Sequence, residues 1–162
     1  MNIFGSIVTF ENNKQILHKA TVCCLKSSLV KKFYIVDNLP TDDLKALTAL
    51  DNRIKYIFNP SNPGFGAAHN IAMRKSIKIS AKYHLVLNPD VYFEQGVLEE
   101  LFAYTQNNPD VELVMPKVLY PNGEIQYLCK LLSTPVDLIF RRFLPFKKYK
   151  QKSLESGGKL GE

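Results

Sequence analysis

Four polar clusters recur along the chain, each directly behind an apolar, β-branched run. Thr9, Phe10, Glu11 and Asn12 close the first run, and Asp37 with Asn38 closes the second. Residues 59–66, Asn-Pro-Ser-Asn-Pro-Gly-Phe-Gly, close the third, and Asn88-Pro89-Asp90 closes the fourth. A carboxylate such as Asp90, stiffened by Pro89, can ligate Mg²⁺ or Mn²⁺ when diphosphate oxygens and water complete the shell. The same tripeptide taken alone reads first as a turn that ends a buried strand. Asp37 and Asn38 pair an acceptor with a donor, which suits a nucleobase edge or ribose hydroxyls; a turn or helix cap uses the same residues. Thr9 offers a hydroxyl and Phe10 a flat apolar face for a base, although Phe10 also reads as a core residue.

In the third cluster, Asn62 precedes Gly64-Phe65-Gly66, where absent side chains permit close backbone approach. Ala67-Ala68-His69-Asn70 then opens a helix whose N-terminus favours a nearby diphosphate. His69 and Asn70 fall at that end. Apart from its neighbours, His69 reads as an ordinary exposed histidine, and neither His18 nor His84 has a sequence partner that argues for a role. No dinucleotide fingerprint follows the first run, and the chain contains neither a phosphate-loop motif nor a G-x-S-x-G elbow.

The elements that must position these clusters follow from apolar spacing. Residues 3–10, 32–36, 54–58 and 83–87 read as strands, and 111–115 as a fifth. Helical spacing runs over 14–29, with Leu17, Ala20, Cys24 and Leu25 on one side, and again over 65–79 and 94–105. A shorter helix is predicted over 41–50, with Thr41 and Asp42 as its cap. Alternating strands and helices imply an α/β, mostly parallel, Rossmann-like sheet with helices on both faces. The longest helix returns the chain beside the first strand, which predicts the order 3-2-1-4. Ligands bind such sheets outside the carboxyl ends of the strands at the switch point. Pro121-Asn122-Gly123 marks a small hairpin within 116–125, and 128–144 reads as a helix interrupted at Pro135.

Bulk properties narrow the function classes. At 162 residues, with 46% hydrophobic and 22% charged residues, the chain suits one domain. It has no apolar run of about eighteen residues and no leader-like start. Cys23, Cys24 and Cys129 lack metal-ligand spacing, and an odd count without a framework points to a reducing cytoplasm. The net charge of +6 is local: Arg141, Arg142, Lys147, Lys148, Lys150 and Lys152 lie together, and without them 15 basic residues face 15 acidic ones. A broad nucleic-acid face is therefore not expected.

Taken in order, Ile7-Val8-Thr9-Phe10, Val36-Asp37-Asn38, Asn62-Pro63-Gly64-Phe65-Gly66-Ala67-Ala68-His69-Asn70 and Leu87-Asn88-Pro89-Asp90-Val91 resemble family 2 glycosyltransferases of the rhamnosyltransferase-like branch. Pro116, Asn122-Gly123-Glu124-Ile125-Gln126 and Arg141-Arg142 also fit, so the resemblance spans about residues 2–145. It implies a GT-A fold that binds a nucleoside diphosphate sugar with a divalent metal and transfers the sugar with inversion. Asp90 falls at the family's Asp-x-Asp-like position, as metal and diphosphate residue. Asp37 matches the nucleotide-contacting aspartate, Thr9 and Phe10 the start of the nucleotide pocket, and Asn62 to Asn70 the segment beside the donor.

Two departures qualify the match. Leu39-Pro40-Thr41-Asp42 replaces the family's Gly-Ser-x-Asp, which stiffens that loop. Relatives also continue well beyond this length, through the acceptor half and its acidic base motif. The expectation is thus a truncated GT-A donor-binding domain over residues 1–150, with no catalytic base assigned and residues 151–162 a disordered tail. Its expected partners are a nucleotide sugar and a saccharide or lipid-linked acceptor of cell-surface polysaccharide. The basic and aromatic segment 140–152 suggests peripheral contact at the inner face of the cytoplasmic membrane, or a face meant for the acceptor half. The competing reading is a non-catalytic nucleotide-binding or interaction module built on the same edge.

Overall fold

The computed structural model describes residues 3–120 and 122–126. The chain divides into two compact units, Met1–Val114 and Met115–Glu162. In the first, strands β1 (Ile3–Thr9), β2 (Val30–Asp37), β3 (Ile54–Phe58) and β4 (Tyr83–Leu87) alternate with helices α1 (Lys14–Leu25), α2 (Phe65–Lys78) and α3 (Val97–Asn107). All pairings are parallel and the order is β3-β2-β1-β4, as the spacing predicts.

Strand alternation divides the core between two faces. Ile7, Phe33, Ile35 and Leu87 pack on one side with Leu17, Ala20 and Cys24 of α1 and Leu98 of α3. Phe4, Val8, Tyr34 and Val36 face the other side, under Ala68 and Ala72 of α2. Helices therefore cover both faces, which is why the central strands read as nearly continuous apolar runs. Gly5 is needed where β1 passes the fully buried ring of Phe33 in β2. A Cβ at Gly5 would lie 2.8 Å from Phe33 Cδ2.

Element ends depart from the apolar spacing for local reasons. Asn13 caps α1, its side chain accepting from the amides of Gln15 and Ile16 at 2.9 and 3.3 Å. The helix ends at Leu25, four residues short of the predicted limit, as the chain turns into β2 at Val30, and Arg53 covers carbonyls along this turn. That guanidinium donates to the backbone oxygens of Leu25, Ser27 and Val30, and pairs with Asp51 at 2.7 Å. The segment Asp43–Leu50 is a 3₁₀ helix, not an α-helix, and no side chain caps it; Thr41 Oγ1 donates to Asp43 Oδ2 instead. Gly96, with φ of 101°, delays α3 to Val97.

The fifth strand does not form. Residues 111–115 make no ladder, and Leu113 is 89% exposed; β propensity without a hydrogen-bonding neighbour makes no strand. In the second unit, Leu119 and Ile125 form an antiparallel bridge closed around Gly123, whose φ is 85°. The small hairpin is as expected. The predicted helix over 128–144, the basic segment 140–152, Cys129 and the tail 151–162 lie outside the described residues. Among the described residues, no helix is long and apolar enough to cross a membrane.

Candidate functional site

The strand register brings the four polar clusters to one edge of the sheet. Thr9 lies opposite Asp37, Asp37 opposite Phe58, and Ile7 opposite Leu87, so Asn88-Pro89-Asp90 leaves β4 beside the end of β1. The switch in strand order falls between these two strands, where a parallel sheet leaves a crevice. Hydrogen bonding continues past the strand ends: Asn38 N donates to Thr9 O at 2.9 Å, and Asn59 N to Asp37 O at 2.7 Å.

Within this edge the sequence-predicted residues separate by burial. Thr9 and Asp37 are fully buried and Asn38 nearly so. Phe10, Asn62, Gly64, Phe65, Gly66, Asn70, Asn88 and Asp90 are exposed. Asp37 is held from two sides: Tyr56 donates its hydroxyl to Oδ2 at 2.7 Å, and the Leu39 amide donates to Oδ1 at 3.1 Å. Burial first, and then the Asp37 carboxylate, push the Tyr56 phenol above its ordinary range, so this hydroxyl stays a donor. Thr9 Oγ1 is buried without a hydrogen-bond partner. A buried orphan hydroxyl is uncommon in a native fold.

Asn38 is committed largely to the fold. Its amide donates to Asn62 Oδ1 at 3.2 Å, and its own oxygen accepts from Asn59 Nδ2 at 2.7 Å. This lattice ties the β2 and β3 loops together and supports two left-handed residues, Asn62 at φ 40° and Gly64 at φ 89°. Asparagine and glycine tolerate that region best. The chain thereby turns into α2, whose first turn has no side-chain cap and leaves amides free for an anion.

Asp90 is exposed at the end of β4. Among the described residues, no three His, Cys, Asp or Glu side chains are grouped closely enough to form a metal cage. One exposed carboxylate is a hard oxygen donor that fits Mg²⁺ or Mn²⁺ when phosphate oxygens supply further ligands. It does not fit an ion held by the protein alone.

Ser6, His69, Ser76 and His84 form a polar cluster between α2 and the sheet, and of these only His69 lies in a segment that the sequence places beside the donor. Ser6 Oγ lies 2.8 Å from His69 Nδ1 and 2.7 Å from His84 Nε2. Ser76 Oγ lies 2.9 Å from His84 Nδ1 and donates to Ala72 O at 3.2 Å. His69 is buried at 3% exposure, which corrects its reading as an exposed side chain. Its imidazole is pushed down to about 4 by burial. His84 falls to about 4 as well, through burial and then the charge of His69. A signal was present in the sequence: Ser6 and His84 interrupt apolar strands, and His69 and Ser76 stand two turns apart on one helix. The free cysteines Cys23 and Cys24 are buried, and burial raises both thiols, as expected of packing residues.

The sequence profile of glycosyl transferase family 2 matches residues 6–157, nearly the whole chain. The chain belongs to this family. Solved structures of S. aureus TarS share its fold. One, spanning TarS residues 1–349, superposes with a TM-score of 0.52 at 18% identity, covering 76% of this chain and 43% of that one. Another has a TM-score of 0.54 at 16% identity, covering 75% and 24% respectively. The chain thus spans less than half the length of either TarS structure. A comparison with curated proteins gives no significant match. Family membership and the shared fold bear out the expected α/β GT-A architecture.

Proposed function

We propose that the carboxyl edge of this sheet binds a nucleoside diphosphate sugar together with Mg²⁺ or Mn²⁺, as the donor site of a glycosyltransferase. The observation that carries the reading is the placement of Asp90 beside β1 at the switch point, in a chain of this family. Asp90 would share the ion with the diphosphate, and the ion would offset negative charge as the diphosphate leaves. The uncapped first turn of α2, approached through Asn62, Gly64, Phe65 and Gly66, presents amides to the same anion. Phe10 supplies an exposed flat surface for the base. Asp37 and Asn38, with Thr9, shape the floor beneath it, and Asn70 borders the donor.

Transfer with inversion would have an acceptor hydroxyl attack the anomeric carbon. The bond to the β-phosphate breaks, and the hydroxyl proton passes to a base. No residue is assigned as that base. The donor sugar, for which the sequence resemblance suggests rhamnose, and a saccharide or lipid-linked acceptor of cell-surface polysaccharide belong to this proposal. So does peripheral membrane contact through residues 140–152, in the cytoplasm at the inner membrane face.

Calorimetry with uridine, thymidine and guanosine diphosphates tests the reading. Binding of at least one is expected with Mg²⁺, and its loss with chelator. Asp90→Ala should weaken it by about tenfold or more, as for loss of a charge-assisted contact. Binding indifferent to both metal and Asp90 would refute the site. Metal-dependent binding without sugar transfer to any lipid-linked acceptor would favour a non-catalytic nucleotide-binding module.

A further inference from the structure

The contacts of Ser6, His69, His84 and Ser76 admit two opposite proton orders, and one is favoured because it satisfies Ala72 O and leaves no N–H on the unpartnered His69 Nε2. The carbonyl of Ala72 can only accept, and in the favoured order it takes the Ser76 hydroxyl proton. Ser76 Oγ must then accept from His84 Nδ1, which therefore carries hydrogen. A neutral imidazole has one N–H, so His84 Nε2 is bare and accepts the proton of Ser6. That proton is the only one Ser6 has. Ser6 Oγ consequently accepts from His69 Nδ1–H, and His69 Nε2 is left as a bare lone pair. This is the atom found buried with no partner. Burial holds both rings neutral near pH 7.

We propose that these four residues form one directional hydrogen-bond chain running from His69 through Ser6 and His84 to Ser76, and that it makes His69 a positioning residue for the start of α2. The chain joins β1, β4 and α2, the elements that carry the strand ends at the switch point and the turn approached through Gly64. The asparagine lattice fixes the entry to α2 from the β3 side, and the histidine chain fixes it from below. Phe65, the first residue of the helix, rests edge-on against His69 with ring centroids 4.4 Å apart. A reversed chain would give His69 the opposite tautomer and leave a buried N–H at Nε2 with no acceptor, in the ring on which Phe65 rests. The importance of this position for ligand binding rests on the donor-site reading above; the proton arrangement does not.

Histidine tautomers are read directly from long-range ¹H–¹⁵N correlation spectra of the full chain near pH 7. His69 and His84 are both expected as Nδ1–H, with the exposed His18 as internal reference. Ser76→Ala removes the acceptor that holds the His84 Nδ1 proton. Either proton order then leaves one buried N–H without an acceptor, so His84 and His69 should both shift from Nδ1–H alone to a mixture with Nε2–H, without any direct contact between residues 69 and 76. The amide resonances of Phe65 to Asn70 should shift with them. The affinity for the nucleoside diphosphate that wild type binds, in Mg²⁺, should fall about three- to tenfold, the equivalent of one net hydrogen bond. Ser6→Ala, which cuts the chain at its middle, should leave His84 as Nδ1–H and release only His69. An Nε2–H signature for either ring in wild type, or an unchanged His69 in Ser76→Ala, overturns the chain. A shifted tautomer mixture with unmoved Phe65–Asn70 amides overturns the positioning role. Nucleotide binding that ignores Asp90→Ala refutes the donor site alone and leaves the spectroscopic result standing.

Discussion

The buried histidine pair should make this fold acid-sensitive well above the carboxylate range. Each imidazole titrates near 6.5 when unfolded and about 4 in the folded chain. The unfolded state therefore binds more protons between these values. Stability from this source is complete above about pH 6.5 and is lost as the pH falls toward 4. For one such group, linkage gives a loss of about 2 kcal/mol between about pH 7 and about pH 5. His84 is partly exposed, and part of its shift is the charge of His69, so the pair together should lose about 3 kcal/mol rather than the full sum. Urea unfolding at the two pH values measures this loss. In His69→Gln the pH-dependent loss should shrink by about 2 kcal/mol, whatever that variant's stability near neutrality. His84→Gln provides a second removal within the same pair. Parallel pH dependence in wild type and both buried-histidine variants would refute the reasoning.

Two structural predictions accompany those for Asp90 and for the hydrogen-bond chain. Gly5→Ala drives a methyl against the buried Phe33 ring at 2.8 Å, and should cost about 1–3 kcal/mol in urea unfolding; a neutral effect would show that the strands adjust freely. Arg53→Ala should cost about 2–3 kcal/mol by uncovering the carbonyls of Leu25, Ser27 and Val30. Arg53→Lys should recover little, since an ammonium cannot serve three carbonyls and Asp51 in one plane; full rescue by lysine would contradict the clamp.

The sequence determined the architecture because its signals are local and repeated. Apolar β-branched runs at 54–58 and 83–87 coincide with β3 and β4, and the long helix α2 returns the chain to give the order 3-2-1-4. Residues with turn chemistry directly behind strands then had to gather on one edge, since all the strands run parallel. That much of the candidate site was legible from type and spacing alone. Burial was not. Asp37 and Thr9 are sealed while Asp90 stays open, and the hydroxyl that reaches Asp37 comes from Tyr56 on β3. The carbonyls between α1 and β2 are covered by Arg53, which lies far along the chain from them. The missing fifth strand shows the same limit: propensity at residues 111–115 supplies no hydrogen-bonding neighbour. Above all, Ser6, His69, His84 and Ser76 show in the sequence only as polar interruptions of β1 and β4 and as two positions on α2. They become one polar chain only when the sheet pairs and α2 packs across it. A side chain's proton, tautomer and burial belong to its surroundings, and in this protein only the tertiary structure decides them.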